Sequence, residues 1–350
     1  MSKQAKPYLI GRPLLELHAD ADRAGHKGFR AKQLYGWLYR NKIRDIDEPS
    51  NLSADYREFV REHYEWGGVE IAQTLLSKDG SRKFAFRLND GKLVEGVLIP
   101  DAGRQTLCIS SQVGCAADCK FCRTAQMGLV RQLRADEIVD QVRVVERLIA
   151  PEGAGVTNIV FMGMGEPLHN LKALIPALRL LGSPDAFAIS TRRITVSTAG
   201  HVPGIDELAE AQTNASLAVS LNATTDKQRS QIMPINERYP IEAVLEACRR
   251  FPLHNRRRIT FEYVMLGGFN DTDADAKRLV KLLNGIPHKI NLIPWNPDPA
   301  LPFKRPEPKR VEAFQQILLD RHESAFIRHS KGLDVNGACG QLATQLQAGD

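Results

Sequence analysis

Three cysteines fall within eight residues, Cys115-Ala-Ala-Asp-Cys119-Lys-Phe-Cys122. Thiolates are the usual ligands of iron–sulfur clusters, and so tight a spacing lets one loop wrap one cluster. A [4Fe–4S] cluster bound by three thiolates keeps one iron open, which suits catalysis; a cluster used for electron transfer is ordinarily closed by a fourth cysteine. The competing reading is structural zinc, which prefers other spacings and a fourth Cys or His nearby. No His lies between Leu93 and Glu166, which favours the cluster.

The thiols must be positioned by the elements around them. From residue 106 onward, strand-like apolar runs alternate with helical patterns. The strands are expected at Thr106–Ser110, Thr157–Phe161, Arg193–Ser197, Ala215–Leu221, Thr260–Met265 and Lys289–Ile293. The helices are expected at Ala135–Ile149, Leu171–Leu181, Gly204–Ala211, Ile241–Phe251 and Asp273–Leu283. Such alternation gives right-handed βαβ units and a parallel sheet. Six strands are too few for an eight-stranded closed barrel, so the expected fold class is α/β, a partial (β/α)6 barrel. In parallel α/β architectures chemistry gathers at the C-terminal strand ends, and the cysteines directly follow the first core strand. Ahead of the barrel, Lys83–Leu88 and Leu93–Ile99 flank Asn89-Asp90-Gly91, a hairpin signal. Residues 1 to about 65 read as helical, with Leu34, Trp37, Leu38 and Ile43 at helical spacing.

Composition narrows the class. The chain has 350 residues, 43% hydrophobic and 25% charged, with a formal net charge of +6 and a pI near 9.0. These values fit a globular protein compatible with a polyanionic partner. No apolar run is long enough for a membrane span or a secretory signal, so no membrane partner and a cytoplasmic location are expected. Six cysteines in a reducing compartment point to metal binding or catalysis rather than structural disulfides.

The C-x-x-x-C-x-x-C pattern with Phe121 before the third Cys resembles the radical S-adenosylmethionine superfamily. Three further segments narrow the resemblance: Ser110-Ser111-Gln112-Val113-Gly114, Phe161-Met162-Gly163-Met164-Gly165-Glu166-Pro167 and Gly337-Ala338-Cys339-Gly340-Gln341-Leu342. They are similar to the RNA adenine methyltransferases, which comprise the ribosomal adenine-C2 enzymes and the related C8-methylating resistance enzymes. The similarity runs from about residue 10 to residue 345. It implies a small N-terminal helical accessory domain at 1–70, a β-hairpin extension at 71–100, a radical S-adenosylmethionine core at 101–333 and a C-terminal segment at 334–350.

The resemblance also implies roles, position by position. Cys115, Cys119 and Cys122 would hold a [4Fe–4S] cluster whose open iron chelates S-adenosylmethionine. Gly165, Glu166, Ser197, Ser220, Leu221, Asn222 and Asn296 would contact the cofactor; helix caps and turn residues are the competing reading for the Ser and Asn positions. Asn222 departs from the family, which often has His there; this leaves a backbone contact as the alternative. Cys339 would carry a methyl group as S-methylcysteine, and Cys108 would resolve the RNA adduct through a transient disulfide. Two cofactor molecules are then spent per turnover, because the adenine C2 carbon is not nucleophilic. Glu95 interrupts an apolar strand and is the candidate proton acceptor; an outward-facing Glu on an amphipathic strand competes with that reading. Cys248 reads as core.

The implied partners are RNA (23S rRNA, with or without tRNA) and an electron donor such as flavodoxin or ferredoxin, acting on a monomer. Six Lys or Arg and no acid lie between Ala24 and Arg44. That stretch fits either an RNA clamp with stacking aromatics or an amphipathic helix with a solvated face. Arg256-Arg257-Arg258 leaves the same choice open. Methylation at C8, a radical enzyme acting on a small molecule, and a non-enzymatic iron–sulfur module are the alternative functions; the Cys108/Cys339 pair argues against the second, and iron and sulfide content with cofactor cleavage after reduction would separate the third.

Overall fold

The computed structural model describes residues 6–254 and 256–343; the end of the expected C-terminal segment, 344–350, lies outside them. The expected parallel strands form as β4 (Arg104–Cys108), β7 (Asn158–Phe161), β8 (Ile194–Thr198), β9 (Ser216–Ser220), β10 (Ile259–Met265) and β11 (His288–Pro294). They are hydrogen-bonded side by side in that order, all parallel. A short seventh parallel strand, β12 (Ala325–Ile327), extends the row beyond the six expected. Ahead of them, β1 (Val69–Leu76), β2 (Arg82–Leu88) and β3 (Leu93–Asp101) pair antiparallel and join β4, so the hairpin continues the barrel sheet. A separate ribbon of β5 (Gln112–Gly114) and β6 (Leu129–Gln132) flanks the cysteine loop.

The crossovers are α4 (Ala135–Ile149), α5 (Leu171–Gly182), α6 (Val202–Glu210), α9 (Ile241–Arg250), α10 (Asp273–Leu283) and α11 (Pro308–Leu319). Between β9 and α9 lie two short helices absent from the expectation, α7 (Asp226–Ile232) and α8 (Ile235–Arg238). At seven and four residues they are too short to show an apolar period, although Thr225 caps the first by accepting from Gln228 N–H. No helix among the described residues is long and apolar enough to cross a membrane.

The N-terminal region is helical, with α1 (Leu14–Arg23), α2 (Phe29–Gly36) and α3 (Ala54–His63). The helix expected to continue to Ile43 changes to a π-turn at Trp37–Asn41 and stops at Lys42 in the left-handed region. These helices do not build a core of their own. Leu17, Leu34, Leu38 and Tyr39 belong to one apolar cluster with Val139 and Val142 of α4. Helix α4 is therefore covered on its outer face too, which explains buried charges along it. Asp136 and Asp140 accept from the Gly68 and Val69 N–H groups at 3.0 and 2.7 Å, and Arg143 pairs with Asp140 and donates to the Ile43 carbonyl.

Candidate active site

The C-terminal ends of the parallel strands open into a pocket. Cys115, Cys119 and Cys122 line one wall on the loop between β5 and β6. That loop is fixed by its backbone: Cys115 N–H donates to Gly128 O at 2.9 Å, Lys120 N–H to Ile232 O at 2.9 Å, and Trp295 Nε1–H to Phe121 O at 3.1 Å. Burial pushes the Cys115 thiol up to about 12, and Cys119 is raised by burial and then by the neighbouring Cys122 and Cys115. Three thiols crowded in a dry pocket ionise readily when a cation is there to receive them.

A cluster anion also fits what lies behind the loop. Arg229 on α7 is fully buried, yet its five named bonds among the described residues go to neutral oxygens: the carbonyls of Ala199, Ser220, Leu221 and Tyr239, and the Asn236 side chain. Burial lowers it to about 10, and the charge that most opposes this is Cys119. A buried guanidinium needs a counter-charge, and a thiolate-bound cluster beside Cys119 supplies one. Sequence gave no signal for Arg229.

The remaining residues singled out from sequence distribute unevenly. Gly165, Glu166, Ser197, Ser220, Asn222 and Asn296 line the same pocket; Leu221 is buried behind it, with its N–H on Glu262 O at 3.0 Å. Gly163 and Gly165 are required by packing. A Cβ on Gly163 would lie 2.7 Å from Ile109 O and Ser110 Oγ, and one on Gly165, at φ +103°, would lie 2.5 Å from Gln112 Cβ. Glu166 is buried and raised to about 7 by desolvation, against bonds from Ala199 N–H at 2.7 Å and Leu168 N–H at 3.1 Å. Asn222 adopts φ +57° and spends its side chain internally, accepting from Val264 N–H at 2.8 Å. That favours its backbone over its side chain as a ligand contact.

The C-terminal segment folds across the mouth. Cys339 lines the pocket with Gly340, held by Asn296 Nδ2–H on Cys339 O at 3.1 Å and Arg123 N–H on Gly340 O at 2.7 Å. Cys339 keeps exposed surface, yet stands among enough protein to be raised to about 11, by burial and then by Glu262. Cys108, buried at the end of β4, is pushed above the usual thiol range by burial and then by the nearby Cys339. Glu95 points elsewhere, into a second and more polar pocket with Lys83, Arg123, Asp298, Gln341 and Ala343. Its Oε2 accepts from Lys83 Nζ and from Ala343 N–H, both at 3.0 Å; burial raises its affinity for a proton and Lys83 opposes that. Cys248 is core, buried on α9.

The two basic stretches separate. In the first, Tyr35, Leu38 and Tyr39 are buried, while Lys27, Phe29, Lys32 and Arg40 are exposed. In the second, Arg257 bonds Asn214 O and Arg258 bonds Ser324 Oγ, and the loop precedes β10, at the opposite strand end from the pocket.

An open parallel barrel with a three-cysteine loop at its mouth defines a radical S-adenosylmethionine protein. Accordingly, residues 109–283 match the Radical SAM superfamily model, and residues 9–65 match the ribosomal RNA large subunit methyltransferase N-terminal domain. The chain is 49% identical to a dual-specificity RNA methyltransferase RlmN of Geotalea uraniireducens, covering 95% of each chain. It is 48% identical to the same enzyme of an Anaeromyxobacter species, over 99% of this chain and 93% of that one. A radical SAM methyltransferase from Sphaerobacter thermophilus superimposes with a TM-score of 0.92 at 42% identity, covering 96% of this chain and 99% of that one. The chain belongs to this family of radical S-adenosylmethionine RNA methyltransferases, whose superfamily membership implies a [4Fe–4S] cluster and S-adenosylmethionine.

Proposed function

We propose that the protein methylates C2 of an adenine in 23S rRNA, and in tRNA as well, with Cys339 carrying the methyl group. One observation carries the reading: the Cys339 segment is held over the pocket that the three cluster cysteines line. The cluster and S-adenosylmethionine, bound by Cys115, Cys119 and Cys122 and by Gly165, Glu166, Ser197, Ser220, Leu221, Asn222 and Asn296, supply a methyl cation equivalent and a 5′-deoxyadenosyl radical, at two cofactor molecules per turnover. The chain's own residues do the rest. Cys339 gives up its proton and takes the methyl through sulfur. After hydrogen abstraction, its S-methylene carbon bonds to the adenine ring. Glu95 would receive the ring proton as the adduct's unpaired electron returns to the oxidised cluster; the Cys108 thiolate then attacks Cys339 sulfur, the S–S bond forms as the S–CH2 bond breaks, and the released carbon takes up a proton to become the methyl group. A reductant reopens that disulfide, and a flavodoxin or ferredoxin feeds the cluster.

Exposed Lys27, Phe29, Lys32 and Arg40 suit phosphate contact and base stacking by the 1–70 unit. The 71–100 extension delivers Glu95, the 101–333 core binds the cofactor, and 334–350 delivers Cys339. The chain acts as a monomer. The test is mass analysis of adenosines in rRNA and tRNA from a strain lacking the gene, with and without complementation. 2-Methyladenosine that disappears and returns supports the proposal; 8-methyladenosine instead, or no change, overturns it.

A further inference from the structure

Five arginines collect at the N-terminal strand ends, on the face of the barrel opposite the pocket, where the proposed chemistry gives them no task. Arg192 and Arg193 directly precede β8, and Arg256, Arg257 and Arg258 directly precede β10. Strands β8, β9 and β10 are neighbours in the sheet, so the loops ahead of them lie side by side. Arg257 ties these loops together: its guanidinium donates to Thr191 Oγ1 at 3.1 Å and to the carbonyl of Asn214, ahead of β9. Arg258 donates to Ser324 Oγ at 2.9 Å, ahead of β12. All of these partners are neutral. Among the described residues no carboxylate pairs with any of the five, and Arg257 is lowered by burial and then by the nearby Arg192. The arginines that end α9 are treated differently: Arg249 pairs with Glu242 and Glu246 at 2.7 and 2.6 Å, and Arg250 with Asp206 at 3.0 Å.

Crowded guanidinium groups without a counter-charge repel one another, and an anion from outside relieves that repulsion. The planar guanidinium fork matches phosphate oxygens in particular. Position says what kind of phosphate. Strand β10 has seven residues and so rises about 23 Å from this face towards the pocket. A molecule that enters the pocket and also reaches this face must be a long polymer. The face also adjoins the N-terminal unit. Arg40 donates to Pro184 O at 2.7 Å, and Arg40 and Lys32 both stand 3.8 Å from Asp185, in the loop that leads to β8. Basic surface therefore runs from the N-terminal unit, past that loop, to the five arginines.

We propose that Arg192, Arg193, Arg256, Arg257 and Arg258 form a second RNA-binding surface, which takes the phosphodiester backbone of a large folded RNA that passes from the pocket round the barrel. This rests on the reading of RNA as the substrate. The test is salt-dependent binding of the cluster-loaded full-length protein, without oxygen, to a 23S rRNA transcript and to a minimal hairpin carrying the target adenine. The variant Arg192→Gln/Arg193→Gln/Arg256→Gln removes three exposed charges and leaves the bonds of Arg257 and Arg258 in place. A control, Lys277→Gln/Lys281→Gln/Lys309→Gln, removes the same charge from exposed positions on α10 and α11. The arginine variant is expected to bind the transcript about tenfold or more weakly at physiological salt. Its plot of log affinity against log salt should be shallower by about two, at roughly 0.7 for each lost phosphate contact. Hairpin affinity and cluster absorbance should be unchanged, and the lysine control should bind both RNAs as wild type does. Transcript binding that survives the arginine changes overturns the inference, as does an equal loss in the lysine control or an equal loss for the hairpin. If wild type binds neither RNA, the RNA-substrate reading fails instead.

Discussion

Two pockets meet at the C-terminal segment, and they are built from opposite materials. The cluster pocket is walled by Phe121, Phe161, Val264, Ile293 and Trp295 around the thiols. The Glu95 pocket is walled by Lys83, Arg123 and Asp298, with an ion pair at its centre. A dry wall protects a carbon radical, while a polar wall lets a carboxylate ionise and pass a proton on. One strap separates the two chemistries: residues 339–340 face the first pocket, and residues 341 and 343 face the second. Ala343 N–H and Lys83 Nζ both take Oε2 of Glu95, which ties the strap's end to the second pocket.

The largest expected effect breaks the first pocket. Cys119→Ala should reduce cluster iron and sulfide and bring methylation to background, measured on protein reconstituted without oxygen; full cluster absorbance with intact cofactor cleavage would remove Cys119 from the ligand set. The next breaks the second pocket. Glu95→Gln should keep cofactor cleavage but slow methylated-RNA formation about a hundredfold. A rate within about twofold of wild type would remove Glu95 as the proton acceptor.

A smaller effect sharpens the electrostatics. On the proposed function Glu95 must be ionised to accept a proton; burial raises its proton affinity while Lys83 lowers it. Activity should therefore fall as pH drops, with a midpoint above that of an ordinary glutamate. Lys83→Met removes the opposing charge, so the same fall should begin at higher pH, by on the order of one unit. An unmoved acidic limb would show that the ion pair does not govern the rate. Smallest is the strap itself: Thr124 Oγ1–H donates to Leu342 O at 2.6 Å. Thr124→Val should speed amide hydrogen exchange at residues 340–343 roughly tenfold.

Much of the barrel was legible because apolar runs and their spacing report βαβ units, and the six core strands fell within two residues of the expected bounds. The short β12, with three residues, and helices α7 and α8 carried no period to read. The cysteine loop and Gly163–Glu166 were legible because chemistry fixes their residue types. Glu262, which lines the cluster pocket, was missed although it bears the signal that singled out Glu95, a carboxylate inside an apolar strand (Ile259-Thr-Phe-Glu262-Tyr-Val-Met265). Arg229 could not be found, since a charged residue on a short helix normally faces water. Neither the N-terminal packing on α4 nor the commitment of Arg257 and Arg258 to neighbouring oxygens is local, so sequence left both open.

The central claim is that Cys339 carries the methyl group and Cys108 releases it. Cys108→Ala protein, given RNA and S-adenosylmethionine under reducing, oxygen-free conditions, should accumulate covalently joined to RNA. Denaturing gels with nuclease digestion, followed by peptide mass analysis, should locate the link at Cys339, whereas Cys339→Ala should form no link and never become methylated. Two ordinary core cysteines would instead give two active, mildly destabilised proteins. A Cys108→Ala protein that forms no RNA adduct and still methylates RNA would contradict the account.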